Sequence, residues 1–192
     1  MWCITLDELS QDYSDLAKRL AIWLRGAKTT VIMGIGNPVR RDDFVGIAVV
    51  KHLEKTVLPD VCLIETGEIP ESYLGVVEKA HPSHILMVDA AEMGEQPGKS
   101  RLVSPKEIEG LSLSTHNLPL SVVSEYMRKR TRAKIALLAI QPKILDFGEG
   151  LGEELSIVAR ELSEIVADAL KPSRKRPKRQ RMLRQVPKRS AQ

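Results

Sequence analysis

Four places in this chain carry residue types that could bind a metal ion or run a hydrolysis, and they lie far apart in sequence. The first is the loop Gly34-Ile35-Gly36-Asn37 with the carboxylate pair Asp42-Asp43 behind it. The second is Asp89, at the end of the apolar run Ile85-Leu86-Met87-Val88. The third is the polar stretch Ser114-Thr115-His116-Asn117. Glu65, closing the run Val61-Cys62-Leu63-Ile64, is the fourth. Two aspartates and an imidazole meeting in one crevice would form a mixed oxygen–nitrogen set suited to nickel, zinc, manganese or iron. The open positions would be left for water or for a group from another molecule, as in catalytic rather than structural sites.

Each group also has a plainer reading. Asp42 and Asp43 suit the first turn of a helix, where the helix dipole favours carboxylates. Asp89 could cap whatever follows its strand. A lone histidine such as His116 is more often a surface or hydrogen-bonding residue than a ligand. Gly34-x-Gly36 could belong to a dinucleotide loop, but Val39 stands where the third glycine of that fingerprint belongs, and two carboxylates nearby oppose a phosphate. There is no Gly-x-Ser-x-Gly elbow and no His-Glu-x-x-His helix. Nothing marks Cys3 or Cys62 as an activated thiolate. If the chain is a hydrolase, metal-assisted chemistry fits its residues best.

The elements that must position these groups are legible from hydrophobic periodicity. Leu6, Leu9, Tyr13, Leu16, Leu20 and Trp23 recur at helical spacing, so residues 6–25 form a helix that Gly26 stops. Thr30-Val31-Ile32-Met33 is a buried strand running into the glycine loop. Residues 42–55 follow as a helix with Val45, Val49, Val50 and Leu53 on one face. Residues 61–64 and 85–88 are further strands, with a short helix over 71–80 between them. Gln96-Pro97-Gly98-Lys99 is a turn, Ser100–Val103 an edge strand, 117–129 a helix, 135–140 the most apolar strand and 151–170 the last helix. Continuous apolar strands alternating with helices predict an α/β fold: a twisted, largely parallel sheet of about five strands sandwiched between helices, in one domain. Ligand sites in such sheets lie at the carboxyl ends of the strands, where the glycine loop, Glu65 and Asp89 fall.

Composition bounds the rest. The chain has 192 residues, 43% hydrophobic, enough for one domain with a core. The net charge of +4 hides a division: ten of 29 basic residues fall from Lys171 on, with no acid among them, while the other 19 face 25 acidic residues, leaving 1–170 at −6. We divide the chain into a helical extension over 1–28, an α/β domain over 29–170, and a basic tail over 171–192. The tail's three prolines and scarce apolar residues predict disorder. Two cysteines make no disulfide framework, and Cys62, in an apolar run, is expected as a buried thiol. No stretch approaches the roughly 18 apolar residues of a membrane span, and the N-terminus lacks a signal peptide's pattern. A cytoplasmic monomer is expected, with no nucleic-acid partner. A solvated basic tail, a tail that docks on an acidic partner surface, and a tail that binds nucleic acid loosely are its three readings.

Taken in order, the motifs resemble one family. Gly34-Ile35-Gly36-Asn37 with Asp42-Asp43 and Gly46 is similar to the opening signature of the hydrogenase maturation endopeptidases. Val88-Asp89-Ala90-Ala91-Glu92-Met93-Gly94 with Pro97-Gly98 resembles the second, Ser114 to Leu120 the third, and Ile140-Gln141-Pro142 a fourth. The resemblance covers about residues 29–170 and is strongest to the branch serving membrane-associated, energy-converting hydrogenases. It implies an endopeptidase that removes the C-terminal extension of a nickel-loaded [NiFe] hydrogenase large-subunit precursor. By position Asp43, Asp89 and His116 match the family's metal-contacting and catalytic residues. The nickel is carried by the substrate, with other divalent metals as candidates for the same site, and no organic cofactor is implied. Gly36, Asn37, Glu65 and Thr115 are expected to help bind substrate. Phe44 and Glu65-Thr66-Gly67 depart from the family pattern. The competing expectation from the residues is a nucleotide-binding α/β module using Gly34–Asn37, and a third is a basic-tailed nucleic-acid accessory protein.

Overall fold

The computed structural model describes residues 6–56, 58–108, 112–113 and 118–171. In chain order the elements are α1 (Leu6–Trp23), β1 (Thr30–Ile35), a 3-10 turn (Arg41–Phe44), α2 (Val45–Leu53), β2 (Val61–Gly67), a second 3-10 turn (Pro70–Tyr73) and α3 (Leu74–Lys79). Then come β3 (His84–Glu92), β4 (Ser100–Val103), α4 (Pro105–Ile108), β5 (Ser112–Leu113), α5 (Leu120–Thr131), β6 (Lys134–Ile140) and α6 (Glu153–Leu170).

The sheet runs β2-β1-β3-β6-β4, with β5 added to β3. The first four strands are mutually parallel; β4 is an antiparallel edge on β6. The expected α/β fold, a twisted, largely parallel sheet of five main strands between helices, is what forms. Its cause is in the strands: β1 is buried along its whole length and β3 through Ala91, so both faces need cover. Alternation along β1 sends Ile32 to the face covered by α1, α2 and α6. Val31, Met33 and Ile35 go to the face covered by α3, α4 and α5.

Several boundaries differ from the expectation. Asp42 and Asp43 fall in a 3-10 turn before α2 rather than in its first turn. β2 runs on to Gly67, so Glu65 lies within it. Asp89 lies inside β3 rather than after it, because β6 pairs with β3 as far as Ala90 and β5 pairs with Ala91 and Glu92. Cys62 is only half-buried, since β2 is an edge strand. The tail from residue 172 on lies outside the described residues.

α1 closes the other edge. The Tyr13 hydroxyl donates to the Gly98 carbonyl at 3.2 Å, and Arg19 Nη2 donates to the Leu102 carbonyl at 3.0 Å. Burial, then the charge of Glu161, push the Tyr13 hydroxyl well above its ordinary range, which keeps its proton in place to donate. Thus the N-terminal helix is bound into the domain by its Tyr13, Leu16 and Leu20 face. At the amino ends of the strands His84 is tied on both ring nitrogens, Nδ1 to Ser83 Oγ at 3.0 Å and Nε2 to the Trp23 carbonyl at 3.1 Å. The Trp23 ring meets the imidazole edge-on at 5.0 Å.

Candidate functional site

Two glycines set the geometry at the carboxyl end of the sheet. A Cβ on Gly46 would lie 2.2 Å from the Val88 carbonyl oxygen and 2.4 Å from that of Ile35. A Cβ on Gly34 would lie 2.6 Å from the Gly46 carbonyl oxygen. With hydrogen at these positions, α2 rests backbone to backbone on β1 and β3, a use of glycine for close approach. The Arg41–Phe44 turn is thereby held against β3.

Gly36 brings Asp43 into place. It has φ +138, and a Cβ there would lie 1.8 Å from the Asp43 carbonyl oxygen. The Asn37 amide donates to Asp43 Oδ2 at 2.7 Å, while Asn37 Oδ1 accepts from the Val39 amide at 3.0 Å. Asp43 is 1% exposed, and its Oδ1 has no hydrogen-bond partner among the described residues. Leaving a buried acceptor unmade costs about 1–3 kcal/mol, more when it is charged, so such an atom calls for an explanation, and a bound ion is one of those that fit a carboxylate oxygen. The arrangement also counts against the nucleotide reading: the Asn37 amide, which a phosphate would need, already serves a carboxylate.

Asp42 is equally buried and has the opposite character. Its Oδ2 accepts from the amides of Lys143 at 3.0 Å and Ile144 at 2.9 Å, and its Oδ1 from Gly152 at 3.1 Å. It clamps the segment 143–152 to the 3-10 turn. Three further backbone bonds join these segments, Arg41 N to the Gly148 carbonyl and Gly148 N to the Val39 carbonyl, each 3.0 Å, and Asp42 N to the Ile144 carbonyl at 3.1 Å. Arg40 Nε and Nη2 both donate to the Leu145 carbonyl, at 3.3 and 3.2 Å.

Asp89 is wholly buried in β3, opposite Ala139 of β6. It follows Val88, which pairs with Gly34, so β3 carries it to the same end of the sheet as the Asp43 turn. Strand alternation places it with Met87 and Ala91 on the α5 face. Gln141 secures the chain just beyond. Its Oε1 accepts from the amides of Met93 at 2.7 Å and Glu95 at 3.3 Å, and its Nε2 donates to Glu92 Oε1 at 2.8 Å.

The remaining expected residues are less concentrated. Glu65 sits in β2 and pairs with Lys51 Nζ at 3.6 Å; the same ammonium lies 5.2 Å from the centre of the Phe44 ring. Both partners are well exposed, so the pair is worth little to stability. Next to it, the Thr66 hydroxyl lies 3.1 Å from the Gly34 carbonyl oxygen, at the bulge that ends the β1–β2 ladder. Thr115 and His116 lie outside the described residues, which resume two positions later at the approach to α5. Among the described residues no three His, Cys, Asp or Glu side chains group as a metal set. Sequence reasoning missed the clamping role of Asp42 and the pinning role of Gln141, although it had singled out both motifs.

The family model described as HycI hydrogenase maturation protease matches residues 47–171, beginning just after the carboxylate turn. A Methanocaldococcus jannaschii protein bearing the maturation protease name is 40% identical over 132 residues, 65% of this chain and 78% of that one. The hydrogenase 3 maturation protease of Escherichia coli K12 is 30% identical over 120 residues, 62% of this chain and 76% of its own. Among solved structures, the [NiFe] hydrogenase maturation protease HycI of Thermococcus kodakarensis superposes with a TM-score of 0.75 at 35% identity, covering 80% of this chain and 99% of that one.

Proposed function

This chain belongs to the hydrogenase maturation protease family, and on that premise we propose that it removes the C-terminal extension of a nickel-loaded [NiFe] hydrogenase large-subunit precursor. Asp43, Asp89 and His116 receive the nickel that the substrate carries, and Gly36, Asn37, Glu65 and Thr115 line the approach. The observation that carries this reading is Asp43 Oδ1, a buried carboxylate oxygen without a hydrogen-bond partner among the described residues. A hard anionic oxygen of this kind fits a divalent ion that arrives with a partner. Such a set supplies part of a coordination sphere and the precursor completes it, so that only correctly loaded substrate assembles the site. The ion would bring Lewis acidity to the peptide bond beside it. The chain's own part is to hold Asp43 against Gly36, to keep Asp89 away from bulk water, and to fix the turn through Asn37.

Among the described residues no helix is long and apolar enough to cross a membrane. We place the enzyme in the cytoplasm as a monomer that meets its precursor in solution. The deciding experiment incubates the full chain with its cognate precursor, with and without inserted nickel, and reads the C-terminus by mass spectrometry. A single cut seen only with nickel is the expected result. Cutting that ignores nickel would overturn the metal logic, and no cutting of a verified, loaded precursor would overturn the substrate assignment.

A further inference from the structure

Phe147 is 84% exposed, the most exposed of the large hydrophobic side chains among the described residues. It stands on the segment that Asp42 clamps. A single exposed apolar residue on a floppy loop would need no explanation. Phe147 differs in two respects. Its segment is held by three amides on one buried carboxylate, by two backbone bonds around Gly148, and by the Arg40 guanidinium on Leu145. The Arg41 guanidinium also lies directly against Gly148, where an added Cβ would come within 2.7 Å of its Nε. Second, two more exposed aliphatic residues, Val39 and Ile144, belong to the same hydrogen-bonded unit.

The unit is continuous with the candidate site. Asp42, which fixes the segment, is chain neighbour to Asp43, whose free oxygen marks the site. One 3-10 turn therefore positions both the group that reads the substrate and the platform carrying Phe147. The geometry points to Phe147, flanked by Val39 and Ile144, as the docking anchor for the folded body of the large-subunit precursor. This rests on the substrate reading above and adds to it the surface by which that protein is held. The complementary feature on the precursor is an apolar pocket close to where its C-terminal extension leaves the fold. An aromatic anchor on a rigid, pre-formed loop gains affinity because little conformational freedom is lost on binding. The 3-10 turn they share ties the orientation of the whole precursor to the placement of one peptide bond.

The test measures binding of the nickel-loaded precursor to the full chain by fluorescence titration, in parallel with steady-state cleavage. Phe147→Ala is expected to weaken binding and raise KM by about ten- to thirty-fold while leaving kcat within about two-fold. Phe147→Tyr should restore most of the affinity. Phe147 makes no packing contact the fold depends on, so the melting temperature should not move. Unchanged affinity and KM in Phe147→Ala would overturn the proposal. So would a loss of kcat at unchanged KM, or a Phe147-dependent dimer of this chain that competes with precursor. Binding that depends on Phe147 without any cleavage would sink the protease reading and leave the docking surface standing. Absence of any binding by the wild-type chain would sink both.

Discussion

The two ends of the parallel sheet both bury ionisable side chains, and they treat them oppositely. At the amino ends of the strands, His84 is 3% exposed and both ring nitrogens have partners, one in Ser83 and one in the Trp23 carbonyl. At the carboxyl ends, Asp43 is 1% exposed and one of its two carboxylate oxygens is left over. A polar group in the interior is tolerable when its hydrogen bonds are made. The amino end obeys that rule at His84 and ties α1 to the sheet; the carboxyl end breaks it at Asp43 Oδ1 and again at Glu71 Oε2, just past β2. The contrast separates a buried imidazole with both nitrogens paired from a buried carboxylate with one oxygen left open. Asp42 and Asp43 repeat the contrast within two residues, since Asp42 spends both its oxygens on backbone amides and Asp43 keeps one in reserve.

Replacing the reserved carboxylate should separate the two ends most sharply. Asp43→Asn should lower processing of the nickel-loaded precursor by about a thousand-fold or more, the scale of several kcal/mol of lost transition-state stabilisation. Its melting temperature should hold or rise, because a neutral amide costs less to bury than a carboxylate and its oxygen can still accept from the Asn37 amide. A clear loss of stability would show that Asp43 is a fold residue and would erase the contrast.

Gly46→Ala should damage both properties together. Its Cβ would press on the Val88 and Ile35 carbonyls, and neither strand can move without carrying its neighbours. We expect a loss of about 3 kcal/mol, at the upper end for overpacking, and a melting temperature lower by roughly 6–12 °C. Processing at a temperature where the variant is still folded should fall as well, since the Asp43 turn is displaced. Calorimetry and the cleavage assay on one preparation check both halves.

At the opposite end, His84→Phe should cost about 1–2 kcal/mol, because Ser83 and the Trp23 carbonyl lose a partner, and should leave kcat and KM of processing unchanged. The same variant tests the pH dependence, the smallest effect of the set. Burial, then the charge of Lys134, hold the His84 imidazole below its ordinary value of 6.5, with the Trp23 carbonyl working the other way. The folded state therefore binds the proton less readily than the unfolded chain. The contribution of His84 to stability is full above about pH 6.5 and is lost as the pH falls through its folded value. Denaturant midpoints for the wild type should fall on acidification below pH 6.5, and His84→Phe should flatten that part of the curve. An identical slope in both proteins would assign it to other groups.

Most of the architecture is legible in the sequence, because a strand buried on both faces announces itself as an unbroken apolar run. Val31-Ile32-Met33 and Ile135 to Ile140 are of that kind. Strand ends were harder. Asp89 looks like a terminator in sequence, yet β6 and β5 supply ladder partners that carry β3 on to Glu92, and those partners lie far along the chain. The candidate site divides in the same way. Gly36, Asp43 and Asp89 were legible as residue types at a strand end. The clamp at Asp42 was not, because its partners are backbone amides about a hundred positions away, and an amide leaves no trace in residue identity. Phe147 was invisible for a related reason, since periodicity marks residues that face a core and says nothing about one that faces out.

The helix along β4 also decides how copies of this protein can associate. A sheet with two free edges can be extended strand by strand without limit, the geometry of a fibre. Here Tyr13 and Arg19 of α1 bond to the β4 side of the sheet from within the same chain, and β2, at the other end of the strand order, has no strand on its outer side among the described residues. Pairing through β2 uses up the free edge of both copies at once. Edge-to-edge growth therefore ends at a closed, two-fold pair.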